Sequence, residues 1–197
     1  MADTNETKKK KITLDKDRLL PFILTGIILL FDQISKFIIV TNWPRVGTII
    51  KEFLHNNWHV SSPALRIVHV RNPDIAFSLG RNMPEGMLFL KPVLFIAIPL
   101  LVLAFLIFYY LRSNEFTRIQ RWAAAGIIGG GLGNIIDRIF RPEGVVDFID
   151  VKFYGLFKWE RWPVFNLADS SVVVCCIILF LTILIDSVKP KDTPKHE

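Results

Sequence analysis

Four stretches of the chain carry nearly unbroken apolar side chains over the roughly 20 residues that a helix needs to cross a bilayer core: 19–41, 87–111, 122–140 and 167–188. Between them the pattern changes. Residues 64–70 alternate apolar and polar in the manner of a strand, 145–153 do so more loosely, and 47–58 have the spacing of an amphipathic helix lying in an interface. The expected architecture is an all-α membrane protein: four transmembrane helices with a small extramembrane, β-containing cap and an interfacial helix on the outer face. The first apolar run follows four lysines, as a signal peptide would. It is too long for one, it contains Asp32 and Lys36, and no small-residue cleavage site follows, so a retained helix is expected.

Composition agrees with membrane residence. Half of the 197 residues are hydrophobic (51%), 16 are Phe, and the mean hydropathy is +0.39. The net charge of +6 does not point to nucleic acid, because the lysines gather at the two tails (Lys8 to Lys11; Lys189, Lys191, Lys195), where they suit anionic lipid. Lys and Arg are denser in 1–18, 112–121 and 189–197 than in 42–86 and 142–166, which places both termini in the cytoplasm. Trp43, Trp159 and Trp162 then fall at the outer interface and Trp122 at the inner one. The chain divides into a cytoplasmic basic tail (1–18), a four-helix domain (19–188) with outer loops 42–86 and 142–166, and a cytoplasmic tail (189–197).

With that orientation the costly polar residues converge on one layer. Asp32 and Lys36 lie in the outer half of the first helix, Asn134, Asp137 and Arg138 near the outer end of the third, and Asn166 and Asp169 at the start of the fourth; Asp147 and Asp150 follow the third helix into the same layer. Asn134, Asp137 and Arg138 have the spacing of one helical face, and Asn166 is placed to cap the fourth helix. Asp32 with Lys36, and Asp137 with Arg138, read as structural ion pairs, since a carboxylate held beside a cation is a poor proton shuttle. Asp147 and Asp169 have no neighbouring cation in sequence and make the better catalytic pair.

Other chemistries fit less well. Gly129 and Gly133 form a GxxxG spacing that suits close helix packing rather than a phosphate loop. His55 and His59 are four apart but lack an HExxH, so no metal is expected; Ser35 beside Lys36 is too close to form a dyad; and the adjacent Cys175 and Cys176 read as packing residues. A proton-coupled carrier or a lipid-clasping scaffold stays open beside an enzyme, although no inverted repeats support a carrier.

FDQISK (31–36), VRNPDIAFS (70–78), GGGLGNIIDR (129–138), GVVDFID (144–150) and FNLADS (165–170) occur in an order that resembles the signature blocks of the lipoprotein signal peptidase (signal peptidase II) family. The resemblance implies an aspartyl endopeptidase of the bacterial inner membrane. It would remove the signal peptide of diacylglyceryl-modified prolipoproteins before the lipidated cysteine, without a cofactor and as a monomer among membrane lipid. It implies Asp147 and Asp169 as the catalytic dyad, leaving open which is base and which acid. Asn72, Asn134, Arg138 and Asn166 would support the dyad or bind substrate, and Asp32, Lys36 and Asp137 would hold the site together. Asp74 stands where the family commonly has Gly.

Overall fold

The computed structural model describes residues 15–43, 45, 64–73, 84–156 and 160–188. The interfacial helix expected at 47–58, His55, His59, Asp74, Trp159 and the lysine-rich tails lie outside the described residues. One helical turn, Lys16–Leu19, is capped by Asp15, and Pro21 then introduces helix α1, Phe22–Asn42. Proline fits there because a helix's first N–H groups have no internal partner to lose.

The second apolar run is not the single regular helix expected over 87–111. It begins as a 3₁₀ segment, Glu85–Leu90, passes through a π turn, Val93–Ala97, and becomes α-helix α2 at Ile98–Arg112. Pro92 and Pro99 account for the irregularity, since each removes an N–H and crowds the carbonyl four residues before it. The Ile98 N–H reaches back five residues to the Val93 carbonyl, which is the π hydrogen bond. Helix α3, Arg118–Phe140, starts four residues before the expected 122 because Thr117 and Gln120 close a capping box around its first turn. Helix α4 is Leu167–Val188.

Among the described residues three spans are long and apolar enough to cross a membrane: Lys16–Asn42, Val93–Arg112 and Leu167–Val188. Helix α3 is just as long but carries Arg118, Arg121, Asp137 and Arg138, and does not qualify on composition. Its position compensates. Helix α3 packs against α1, α2 and α4, and Ala123, Ala124, Ala125 and Ile128 are buried against them. Thr25 Oγ1 donates to the Ala125 carbonyl at 2.7 Å, and Ser171 Oγ to the Gly126 carbonyl at 2.9 Å, so hydroxyls of α1 and α4 tie both neighbours to α3. The GxxxG face explains the close approach. A Cβ on Gly129 would lie 3.1 Å from the Thr25 backbone, and one on Gly133 would lie 2.6 Å from Asp32 Oδ2. Cys175 is buried against the same helix, beside Gly126, while Cys176 is exposed.

The two expected strands form an antiparallel pair at one end of the bundle: β1, Leu65–Asn72, and β2, Val145–Val151. Register runs from Leu65 opposite Val151 to Asn72 opposite Val145, with a slip between Ile67 and Val70. That bulge matters because one residue of slip exchanges the faces of a strand. It puts Val70 opposite Asp147 and leaves Asn72, rather than His69 or Arg71, on the Asp147 face. On the other face Val146 and Phe148 pack with Ile39 of α1, which seats the sheet on the bundle. Gly144, at φ +99°, brings the chain from α3 into β2 so closely that a Cβ would strike the Asn72 carbonyl.

Replacing Gly133 with Ala is expected to lower the melting temperature in detergent by the equivalent of roughly 1 to 3 kcal/mol of overpacking. Gly26→Ala on α1, where a Cβ meets nothing within 4 Å, is the matched control and should be neutral or stabilising. Equal melting of the two variants would refute the close α1–α3 contact.

Candidate active site

At the sheet end, three helices and β2 bring the polar residues together around Lys36. Its ammonium is fully buried and has three donors to place. All three are satisfied: Asp32 Oδ2 at 2.8 Å, Asp137 Oδ2 at 3.2 Å and Asn134 Oδ1 at 3.1 Å. The two carboxylates are used again. Asp32 Oδ1 accepts the Ala168 N–H at 3.0 Å, joining α1 to the start of α4. Asp137 Oδ2 accepts the Val146 N–H at 3.1 Å, joining α3 to β2.

Asp137 does not pair with Arg138. Its second cation is Arg141, four residues on, while the Arg138 guanidinium lies over the Phe95 ring, 5.5 Å from its centroid. The reason is helical geometry: consecutive side chains diverge by about 100°, whereas i and i+4 share a face. Gln33 was not singled out from sequence and belongs here as well. Its amide donates to Asp137 Oδ1 and to the Gly133 carbonyl, each at 3.1 Å.

Asn134 carries the cluster onward. With Lys36 holding its oxygen, its Nδ2 faces Asp169 and donates to Oδ1 at 2.8 Å. Asp169 stands in the first turn of α4, where Asn166 and Asp169 cap each other: Asn166 Oδ1 accepts the Asp169 N–H at 2.9 Å, and Asp169 Oδ2 accepts the Asn166 N–H at 3.1 Å. The expected cap is therefore present, and Asn166 does more than cap. The chain before it runs beside β2, with the Phe165 carbonyl accepting the Phe148 and Ile149 N–H groups, so the Asn166 side chain reaches Asp147. Its Nδ2 donates to Asp147 Oδ1 at 2.7 Å and lies 3.1 Å from Asn134 Oδ1. Asn72, brought round by the bulge, donates to Asp147 Oδ2 at 3.0 Å.

Asp147 thus lies buried between two asparagines, within range of the Asp169 charge. Burial, and then repulsion from Asp169, push its carboxyl up to about 7; the amides of Asn72 and Asn166 and the Lys36 charge oppose the rise without cancelling it. Asp150, three residues on, projects to the other side of the strand and is held by Arg66 and Arg161. It is part of the sheet's frame. His69, on β1, is buried with Nδ1 3.0 Å from the Trp43 carbonyl. Among the described residues no three His, Cys, Asp or Glu side chains are grouped as metal ligands.

Two carboxyls, one of them raised towards neutrality and both lined by amide donors, are suited to passing a proton to and from a bound water. The signal peptidase (SPase) II family matches residues 24–185. A lipoprotein signal peptidase of Treponema denticola is 44% identical over 176 residues, covering 89% of this chain and 95% of that one. One of Treponema pallidum is 37% identical over 175 residues, covering 89% and 88%. A solved bacterial membrane enzyme superposes with a TM-score of 0.66 at 25% identity, covering 90% of this chain and 94% of that one.

Lys36→Met is expected to remove roughly 3 to 5 kcal/mol of stability, because it leaves Asp32 and Asp137 buried beside each other without the ammonium. Melting in detergent checks this, and an unchanged midpoint would contradict the role given to Lys36. Asp147 gives a pH-dependent counterpart. A carboxyl whose folded value is raised contributes stability below its unfolded value, near 4, and that contribution is lost as pH climbs through about 7. Asp147→Asn cannot ionise, so its melting temperature should gain on wild type between pH 4 and 7 and run parallel above. An offset that does not change with pH would refute the raised carboxyl.

Proposed function

The chain belongs to the signal peptidase II family, and from that premise we propose that it is an aspartyl endopeptidase that removes the signal peptide from diacylglyceryl-modified prolipoproteins, cutting before the lipidated cysteine. The observation that carries the chemistry is the buried pair on β2 and α4: Asp147 raised to about 7, and Asp169 reached through Asn134 and Asn166. Like charges in a low dielectric do not both ionise readily, so the pair holds one proton. The raised value of Asp147 supports assigning that proton to it. Asp169 accepts hydrogen bonds from N–H donors on both oxygens and takes the part of base.

In the first step Asp169 draws a proton from a water, whose oxygen attacks the scissile carbonyl, while Asp147 gives its proton to the developing oxyanion. Collapse of the tetrahedral intermediate breaks the C–N bond: the proton taken up by Asp169 passes to the leaving amine, and one hydroxyl of the intermediate returns its proton to Asp147 as the carbonyl re-forms, which restores both carboxyls to their starting states. Asn72 and Asn166 hold Asp147 in position, and Asn134 holds Asp169. Arg138, whose guanidinium lies over the Phe95 ring, is assigned to orient the peptide. Asp32, Lys36 and Asp137 keep the frame neutral overall but for one negative charge. A carrier or scaffold role draws no support from the family.

The setting proposed is the bacterial inner membrane, crossed by all four long helices. Helix α3 is included because Gln120, Arg121 and Asp137 are buried in the bundle, Arg118 stands at its end, and its neighbours carry the exposed apolar side chains. Both termini lie in the cytoplasm and the sheet caps the outer leaflet. The lipid-bearing end of the substrate then enters from the membrane side, with the enzyme acting as a monomer.

The test is cleavage of a diacylglyceryl-modified prolipoprotein by the purified chain in micelles, where no gradient exists. Asp147→Asn and Asp169→Asn should each lower the rate at least 100-fold while remaining folded, the scale on which positioned acids and bases act. A variant that keeps a tenth of the wild-type rate would remove that residue from the chemistry. Wild-type activity should survive EDTA and fall on the alkaline side with a midpoint near pH 7, as Asp147 loses its proton. Loss in EDTA with recovery in zinc would overturn the mechanism.

A further inference from the structure

At the end of the bundle away from the sheet, a cavity of about 350 Å³ lies between the Lys16–Leu19 turn, the α2–α3 connection and the first turn of α3. Three guanidinium groups line it: Arg18, Arg118 and Arg121. Arg18 and Arg121 are only 6% and 8% exposed. Neither has a carboxylate within salt-bridge distance among the described residues. Arg18 is met by neutral oxygens, the Leu111 carbonyl and Asn114 Oδ1. Arg121 has the face of the Tyr110 ring and a 3.5 Å contact to the Ser113 carbonyl, and its Nη1 has no hydrogen-bond partner among the described residues. A buried cation left this way is expensive.

The helix makes it more so. The first turn of α3 contains no acidic residue, and Arg118 and Arg121 sit where the positive end of the helix dipole disfavours cations. That placement becomes favourable once an anion occupies the site, because the dipole and both guanidinium groups then act together. Two carboxylates stand at the rim. Asp15 caps the Lys16–Leu19 turn, and Asp17 is exposed beside it, so the cavity offers a place for a cation next to the place for an anion. Leu19, Leu20 and Ile119, adjoining these residues in the chain, are exposed apolar side chains suited to acyl chains.

We infer that this cavity binds the headgroup of a membrane phospholipid, its phosphate held by Arg118 and Arg121 and an ammonium, where the headgroup has one, by Asp15 and Asp17. The inference rests on the membrane placement of the bundle and not on the peptidase chemistry, since the site lies at the opposite end from Asp147. Binding there pins the N-terminal turn to α3 and anchors that end of the bundle in the headgroup layer.

The test uses the full chain, delipidated in a non-ionic detergent, followed by native mass spectrometry and thermal melting. Phosphatidylethanolamine, phosphatidylglycerol, diacylglycerol and inorganic phosphate are added in separate arms. Phosphatidylethanolamine should bind one equivalent and raise the melting temperature, phosphatidylglycerol should bind more weakly, and diacylglycerol should do neither. Arg118→Gln, at an exposed position where a surface substitution costs little stability, should weaken phosphatidylethanolamine binding about tenfold, as should Arg121→Gln, the scale of one lost charge-assisted hydrogen bond. Prolipoprotein cleavage by Arg118→Gln should stay at the wild-type rate. Binding unchanged in Arg118→Gln, or equal for diacylglycerol, overturns the site. Inorganic phosphate matching the phospholipid at equal concentration overturns its assignment to lipid.

Discussion

An ammonium group sealed inside a helix bundle has to find an acceptor for each of its three hydrogens, and Lys36 finds them on two different helices. Asp32 comes from its own helix one turn back, while Asp137 and Asn134 come from α3. Each acceptor has a second task. Asp32 receives the Ala168 N–H of α4, Asp137 the Val146 N–H of β2, and Asn134 turns its amide towards Asp169. Moving the ammonium would release α1, α3, α4 and the sheet from one another. Gly133 is part of the same constraint, because any side chain there would displace the Asp32 carboxylate from the ion pair.

The pair proposed to carry the chemistry is built on elements of different kind, which is how two carboxyls are held together without a cation between them. Asp147 belongs to a strand and Asp169 to the first turn of a helix, so neither position is set by the packing of the other. The strand bulge aims Asn72 at one, the helix cap aims Asn166 at both, and Lys36 fixes the direction of Asn134. Every oxygen of the pair therefore has an amide donor before substrate arrives. Such preorganisation lowers the cost of moving a proton, since the surrounding dipoles do not have to turn during the reaction.

Much of this arrangement was legible in the sequence, for reasons that also mark where the reading stops. Apolar runs longer than a bilayer core gave the helices, and alternation gave both strands. The i to i+4 spacing of Asp32 and Lys36 gave their pairing, and the Asn166 cap came from its place before α4. The same spacing rule, applied to Asp137, identifies Arg141 as its partner; adjacency suggested Arg138 and was misleading, because helix neighbours diverge. The break at Val93–Ala97 was announced by Pro92 and Pro99. The bulge in β1 had no sequence signal, since alternation shows that a strand has two faces without showing where the phase slips. Gln33 and the role of Asp150 were equally hidden, because both depend on chain segments about 100 and 84 residues away in sequence. The polar character of α3, which weakens its apolar run, becomes intelligible only once three other helices are packed around it.

The proposed mechanism turns on one proton shared by two carboxyls, and infrared spectroscopy of the carboxyl carbonyl reads that proton directly. In wild-type protein in micelles, a protonated-carboxyl band should be present at pH 6 and disappear with a midpoint near pH 7, and it should be missing from Asp147→Asn at every pH in that range. A spectrum without such a band at pH 6, or one in which the band persists in Asp147→Asn, would contradict the placement of the proton on Asp147 and the mechanism built upon it.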